Sequence, residues 1–177
     1  FNESNKGVGG ATKRGYAEAL KAGMDIVIKV DGDGQMDPSL IPLFIRPIID
    51  GRADYTKGNR FFSYEHVSRM PGVRLFGNAV LTFFTKASSG YWNIYVPNNG
   101  YTAIHSRALG MLALDKIHDR YFFESDMLFR LNSIRAVVLD VPMVAVYEDE
   151  ESSLKIRDIV LQFLSGHLRN FGKRVAY

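Results

Sequence analysis

The chain contains no cysteine. That excludes a disulfide framework and a thiolate metal site, and it suits a reducing compartment. It has no apolar run near the ~20 residues a membrane-spanning helix needs, and no signal-peptide pattern. A strong charge of either sign is also missing. The formal net charge is +3, which fits an anionic ligand or a membrane surface without calling for nucleic acid. Histidine is scarce, and His66, His105, His118 and His167 show no metal-ligand spacing, so they read as structural or solvated. No G-x-S-x-G nucleophile motif occurs, nor any internal repeat or low-complexity linker.

What is present is the pattern of one globular domain. The chain has 177 residues, 46% of them hydrophobic and 23% charged, enough to bury a substantial core. It begins at Phe1 rather than at a methionine, and its last helical pattern reaches Tyr177 without a stop signal. A fragment lacking an N-terminal portion is therefore expected.

The glycine-rich stretch NKGVGG leads into a helical pattern over 11–22, closed by Gly23. Residues 25–30 form a short β-branched run that reads as a buried strand. Pro38 suits the first turn of a helix over 38–50, and 53–57 predicts another strand. Further helices are expected over 75–88, 106–114 and 124–132, and strands over 91–96 and 101–105. Residues 135–140 and 142–147 read as strands interrupted by Pro142, so one of them belongs at an edge. This alternation predicts an α/β layer with a mainly parallel sheet. Residues 154–176 carry apolar positions at helical spacing, with Lys155, Arg157, Arg169, Lys173 and Arg174 around them.

The strongest chemical signal is the run Asp31-Gly32-Asp33-Gly34-Gln35-Met36-Asp37. Asp31 directly follows a buried strand, and ligands bind open α/β sheets at the strands' carboxyl ends. Three carboxylates within seven positions repel unless a cation or donors compensate. Oxygen ligands without His or Cys favour Mg²⁺ or Mn²⁺, completed by water and substrate phosphates. The other reading is a solvated turn with Asp37 as a helix cap. A calcium-binding EF-hand loop is excluded, because its sixth and twelfth positions would be Met36 and Pro42.

Weaker signals surround it. NKGVGGATKRGYAEAL could cradle phosphate at a helix start, or be a plain glycine-rich connection. It lacks the GK[ST] ending of a P-loop, and Thr12 replaces the third glycine of a dinucleotide fingerprint. Lys57-Gly58-Asn59-Arg60 puts two cations at a strand end, to meet a diphosphate or simply to face water. Glu124-Ser125-Asp126 opens a helix, where a carboxylate can serve as general base or as N-cap.

Taken in order, NKGVGGATKRGYAEAL, VDGDGQMDP, KGNRF, NNGYTA, YFFESDMLFRL and VPMVAVYEDEESSLKI resemble the family 2 glycosyltransferases, in particular the polyprenyl-phosphate (dolichol-phosphate mannosyltransferase-like) branch. The likeness implies a GT-A-like, Rossmann-related α/β fold with a mixed, mainly parallel sheet flanked by helices. It divides the chain into a partial catalytic domain over 1–153 and an amphipathic C-terminal helix over 154–177. It implies a UDP- or GDP-linked sugar donor, Mg²⁺ or Mn²⁺, inversion at the anomeric carbon, and a lipid-phosphate or saccharide acceptor. By motif match, Asp31 and Asp33 become the metal and diphosphate residues, with Gln35 as a further metal ligand. Arg60 becomes a cation aiding the leaving diphosphate, and Glu124 and Asp126 become the acidic helix start near the acceptor. The C-terminal helix resembles a juxtamembrane helix, which implies a cytoplasmic protein at the cytoplasmic face of a membrane; an ordinary packed helix is the competing reading.

Two departures stand out. The relatives' first strand, with its base pocket, has no counterpart after Phe1, and Val96 occupies a position where relatives usually carry aspartate. A nucleotidyltransferase, or a non-catalytic fragment or binding module, therefore stays open as an alternative.

Overall fold

The computed structural model describes residues 4–59, 72–95, 99–143 and 156–176. The first helix, α1 (Gly7–Lys21), starts earlier than its apolar periodicity suggests. The Asn5 side chain accepts from the Gly7 amide at 2.9 Å, and Gly7 itself is left-handed at φ +75°. Gly9 and Gly10 are helical because this end of α1 lies on the 118–119 backbone. A Cβ at Gly9 would collide with the His118 carbonyl, and Gly10 N donates to Asp119 O at 3.0 Å. The glycine pair is thus a close-packed connection.

Strand β1 (Ile26–Lys29) follows. Asp37 caps a short 3-10 turn, its side chain accepting from Ser39 N at 2.8 Å with Pro38 at the first position, and α2 (Ile41–Ile49) continues from it. Then come β2 (Tyr55–Asn59), α3 (Gly72–Ser89), β3 (Thr102–His105) and α4 (Ser106–Met111). The chain closes with α5 (Phe123–Ser133), β4 (Val138–Pro142) and α6 (Ile156–Ala176).

The strands are ordered β1-β3-β2-β4. β3 runs antiparallel to both β1 and β2, while β2 and β4 are parallel. Three strands therefore share one direction, and β3, inserted against them, makes the sheet mixed. Side chains alternate across it. Ile104 and Val138 join Phe123, Met127 and Leu131 of α5 in one core. Tyr101, Ala103 and Val141 pack with Phe44 and Ile48 of α2 in the other. Helices thus cover both faces, as an α/β layer requires.

Two expectations need correction. Residues 91–95 form no strand, because this segment crosses the edge of β4 with side-chain bonds instead of a ladder. Asn93 Nδ2 donates to Val138 O at 3.2 Å, and Tyr95 N donates to a carboxylate oxygen of Asp140 at 3.0 Å. The first of the two strands expected around Pro142 runs Val138–Pro142 and takes in the proline as its last residue, at the edge of the described sheet, where the missing N–H is tolerated. Residues 144–147 lie outside the described residues.

Helix α6 packs on α3 and α5. It leaves Leu161, Leu164, Leu168, Phe171 and Val175 exposed. No helix among the described residues is long and apolar enough to cross a membrane.

Candidate active site

The site forms where β1 ends. Pleating puts Lys29 on the same sheet face as Val27, toward α5. Its ammonium lies 2.8 Å from Asp31 Oδ1, 3.5 Å from Glu124 Oε1 and 3.3 Å from Gly100 O. One cation therefore ties the acidic turn to the start of α5. The Lys29 and Glu124 side chains are 10% and 15% exposed, against 35% for Asp31. Burial raises the Glu124 carboxyl above its ordinary value; Lys29 opposes the shift and Asp31 adds to it.

The turn is braced from below. Asn99 is buried, donating from Nδ2 to Gly58 O at 2.8 Å and accepting from Tyr101 N at 2.9 Å. The Tyr101 ring stacks on Phe44 at 4.1 Å, and its hydroxyl donates to Asp37 O at 3.1 Å. This brings Gly100 against Asp31, where any Cβ would overlap the carboxylate. Asp33 is exposed, its Oδ1 accepting from Gln35 N at 3.0 Å, with Gly34 left-handed at φ +77°.

Beside this cluster opens a cleft of about 430 Å³, lined by Val8, Thr12, Tyr16, Lys29, Asp31 and Gly32 among others. Burial pushes the Tyr16 phenol up to about 12, so it stays neutral. The glycine-rich helix start and the aspartate turn thus border one space.

The residues present fit a hard divalent ion only in part on their own. Lys29 occupies Asp31 Oδ1, leaving Oδ2 and the exposed Asp33 carboxylate as oxygen donors. No group of three acidic, His or Cys residues able to hold a metal occurs among the described residues. Such a site would rely on substrate phosphate and water for the remaining ligands, which is how Mg²⁺ is usually held.

The expected site residues separate here. Asp31 and Glu124 are brought together by Lys29, with Asp33 and Gln35 in the adjoining turn. Asp126 is fully buried and faces elsewhere: it accepts from His118 N at 2.9 Å and from Asn170 Nδ2 at 2.8 Å. Neither Ser125 nor Asp126 is the N-cap of α5; Phe122 occupies that position. Lys57 does not face a diphosphate but is sealed in a pair with Asp140 at 3.1 Å. Arg60 and Val96 lie outside the described residues. Lys29 was missed, although a lysine within an otherwise apolar strand, two positions before Asp31, was its available signal.

A helix-flanked mixed sheet with an acidic turn at a strand's carboxyl end is the GT-A-like arrangement. The same fold occurs in glucosyl-3-phosphoglycerate synthase of Mycobacterium tuberculosis, in its complex with UDP (TM-score 0.64, 19% identity, 94% of this chain and 55% of that one). The complex of that synthase with Mn²⁺, UDP-glucose and phosphoglyceric acid superposes at TM-score 0.63 and 18% identity, with the same coverage. Residues 1–111 match the model of glycosyl transferase family 2, and the chain belongs to that family. It is similar to a UDP-N-acetylglucosamine–dolichyl-phosphate N-acetylglucosaminyltransferase of Methanococcus voltae, 32% identical over 84% of this chain and 59% of the relative. An undecaprenyl-phosphate mannosyltransferase of Micrococcus luteus is 26% identical over 79% of this chain and 57% of its own length. The chain thus spans under two-thirds of the length of these curated relatives.

Proposed function

We propose that this domain transfers a sugar, with inversion, from a UDP- or GDP-linked donor to a polyprenyl phosphate. The observation that carries this reading is that Lys29 joins Asp31, which lines the cleft at the end of β1, to Glu124 at the start of α5. The polyprenyl-phosphate acceptor is supported by the names of the two curated relatives. Asp31 and Asp33, with Gln35 as a further oxygen donor, would hold Mg²⁺ or Mn²⁺ against the donor diphosphate. When bound, such an ion neutralises charge on the leaving group.

The chain's own residues do the rest. Lys29 fixes the Asp31 carboxylate and adds a positive charge near the diphosphate, and Arg60 is assigned the same electrostatic part. Glu124, made more basic by burial, suits proton removal from a hydroxyl acceptor. An ionised phosphate acceptor needs little such help, and Glu124 then serves to orient Lys29. Asp126 positions α5 rather than touching substrate. The exposed apolar stripe of α6, with its basic residues, is assigned to the lipid interface at the cytoplasmic face of the membrane.

Calorimetric titration with UDP- and GDP-sugars, with and without Mn²⁺, tests the reading. Metal-dependent binding of a nucleotide sugar that Asp33→Ala removes is expected, with product formed on polyprenyl phosphate. Preference for a nucleoside triphosphate over every nucleotide sugar would point to nucleotidyl transfer and overturn it.

A further inference from the structure

A second cavity lies at the opposite end of the sheet. β1 and β4 run in the same direction; Asp31 follows the end of β1, whereas this cavity reaches Ala136, just before the start of β4. From Glu124 to Ser133, the last residue of α5, the helix rises ~13 Å, so the two sites are separate. The cavity has a volume of about 910 Å³, and Lys116, Arg130, Arg135, Lys173 and Arg174 line it together with Asn132. No Asp or Glu lines it, and none of these five cations is ion-paired among the described residues.

Helix ends explain only part of this charge. The carboxyl ends of α5 and α6 each carry roughly half a negative charge, about one unit against five. Three features show that the cations are placed and not merely tolerated. Arg135 occupies the left-handed position that ends α5, at φ +57°, where glycine is the ordinary residue. Its amide donates to Asn132 O at 2.9 Å and Ala136 N donates to Leu131 O at 3.0 Å, so the motif is complete without any need for an arginine side chain. Arg130 donates from Nη2 to Lys116 O at 3.1 Å, while its buried Nε has no partner among the described residues. Arg174 donates to Ala87 O at 2.7 Å and lies where Gly90 has no Cβ.

We propose that this cavity binds a phosphate-bearing polyanion, either an anionic lipid headgroup or a soluble diphosphate. Guanidinium forks match phosphate oxygens in pairs, and the cavity is large enough for two phosphates. Exposed Phe171 and Val175 on the same stretch of α6, and Trp92 two residues beyond Gly90, give apolar neighbours that suit a headgroup at a lipid surface. The inference does not depend on the donor site.

The test uses two probes in EDTA: inorganic pyrophosphate by calorimetry, and flotation on phosphatidylcholine vesicles with and without phosphatidic acid. Binding of either probe is expected to weaken about tenfold in Arg130→Ala and in Arg135→Gly, and to persist in Asp33→Ala. Arg135→Gly should unfold no earlier than the native chain, because glycine relieves the left-handed backbone; lost binding then cannot be blamed on misfolding. Pyrophosphate binding identifies a soluble anion, and phosphatidic-acid-dependent flotation identifies a lipid. Absence of both, or binding indifferent to the two arginine substitutions, overturns the proposal.

Discussion

Lys29 and Lys57 make the same kind of contact in different settings. Both lie on the α5 side of the sheet, and each is paired with an aspartate near 3 Å. Lys57 is 1% exposed, and its partner Asp140 also accepts from Asn59 Nδ2 and Tyr95 N. That network is closed. Lys29 pairs instead with an Asp31 that stays open to the cleft and with a Glu124 drawn from another element. A lysine in a strand therefore marks a site only where its carboxylate partner remains accessible; where the partner is saturated, the pair is architecture.

The largest effect should come from breaking the closed network. Lys57→Met leaves Asp140 without its cation in a buried setting, and loss of ~3–5 kcal/mol is expected in denaturant titrations. Pairing it with Asp140→Leu should restore most of that loss, since two apolar groups need no partner. If the single substitution changes stability no more than an exposed ion pair would, the contrast between the two lysines collapses.

A second test concerns a sealed group that has no counter-charge among the described residues. His167 packs against Phe84, Phe122 and Phe163 and shares a 2.8 Å hydrogen bond with Ser88. Burial pushes its pKa down to about 4. The folded value lies below the ordinary one of 6.5, so the neutral ring's contribution is full above that pH. It is lost as pH falls from there toward 4, by on the order of 3 kcal/mol. Glu124, whose folded value is raised, adds stability as pH falls and so cannot produce this loss. Unfolding midpoints between about pH 7 and pH 4 should show it, and His167→Phe should flatten that part of the profile.

Residues whose behaviour is local were legible in the sequence. The DGDGQMDP run announces its turn through glycine, its capped start through Asp37 and Pro38, and its place through the apolar strand before it. Helix α5 was visible from its periodicity. Residues decided by distant partners were not. Lys29 has Asp31 two positions away, but its second partner, Glu124, lies across 95 positions and Lys57 meets Asp140 across 83, and nothing local to either lysine names the distant carboxylate. Asp126 looked like a site residue because it sits beside Glu124 in sequence. Two positions along a helix turn a side chain by ~200°, which sends Asp126 toward Asn170 of α6 and leaves Glu124 facing Lys29. Tyr91 to Tyr95 has strand-like composition, but Asn93 and Tyr95 meet β4 and its side chains without forming a ladder.

The smallest stability effect, and the one that bears most directly on the open pair, belongs to Glu124. Its folded value is raised, so the folded state disfavours the charged carboxylate. Stability tied to the protonated form is fully present below the ordinary glutamate value of 4.5 and is lost as pH rises through the raised one. Glu124→Gln removes that loss and should stabilise the fold slightly at neutral pH, with no gain in acid. Lys29 opposes the shift, so the gain should grow when the same substitution is made in Lys29→Met. Sugar transfer should fall in both backgrounds. A group retained at some loss of stability is the expected mark of a site residue, whereas Lys57, Asp140 and Asp126 should lose stability on any single substitution. A Glu124→Gln chain less stable than the native one at neutral pH would place Glu124 with the sealed charges instead.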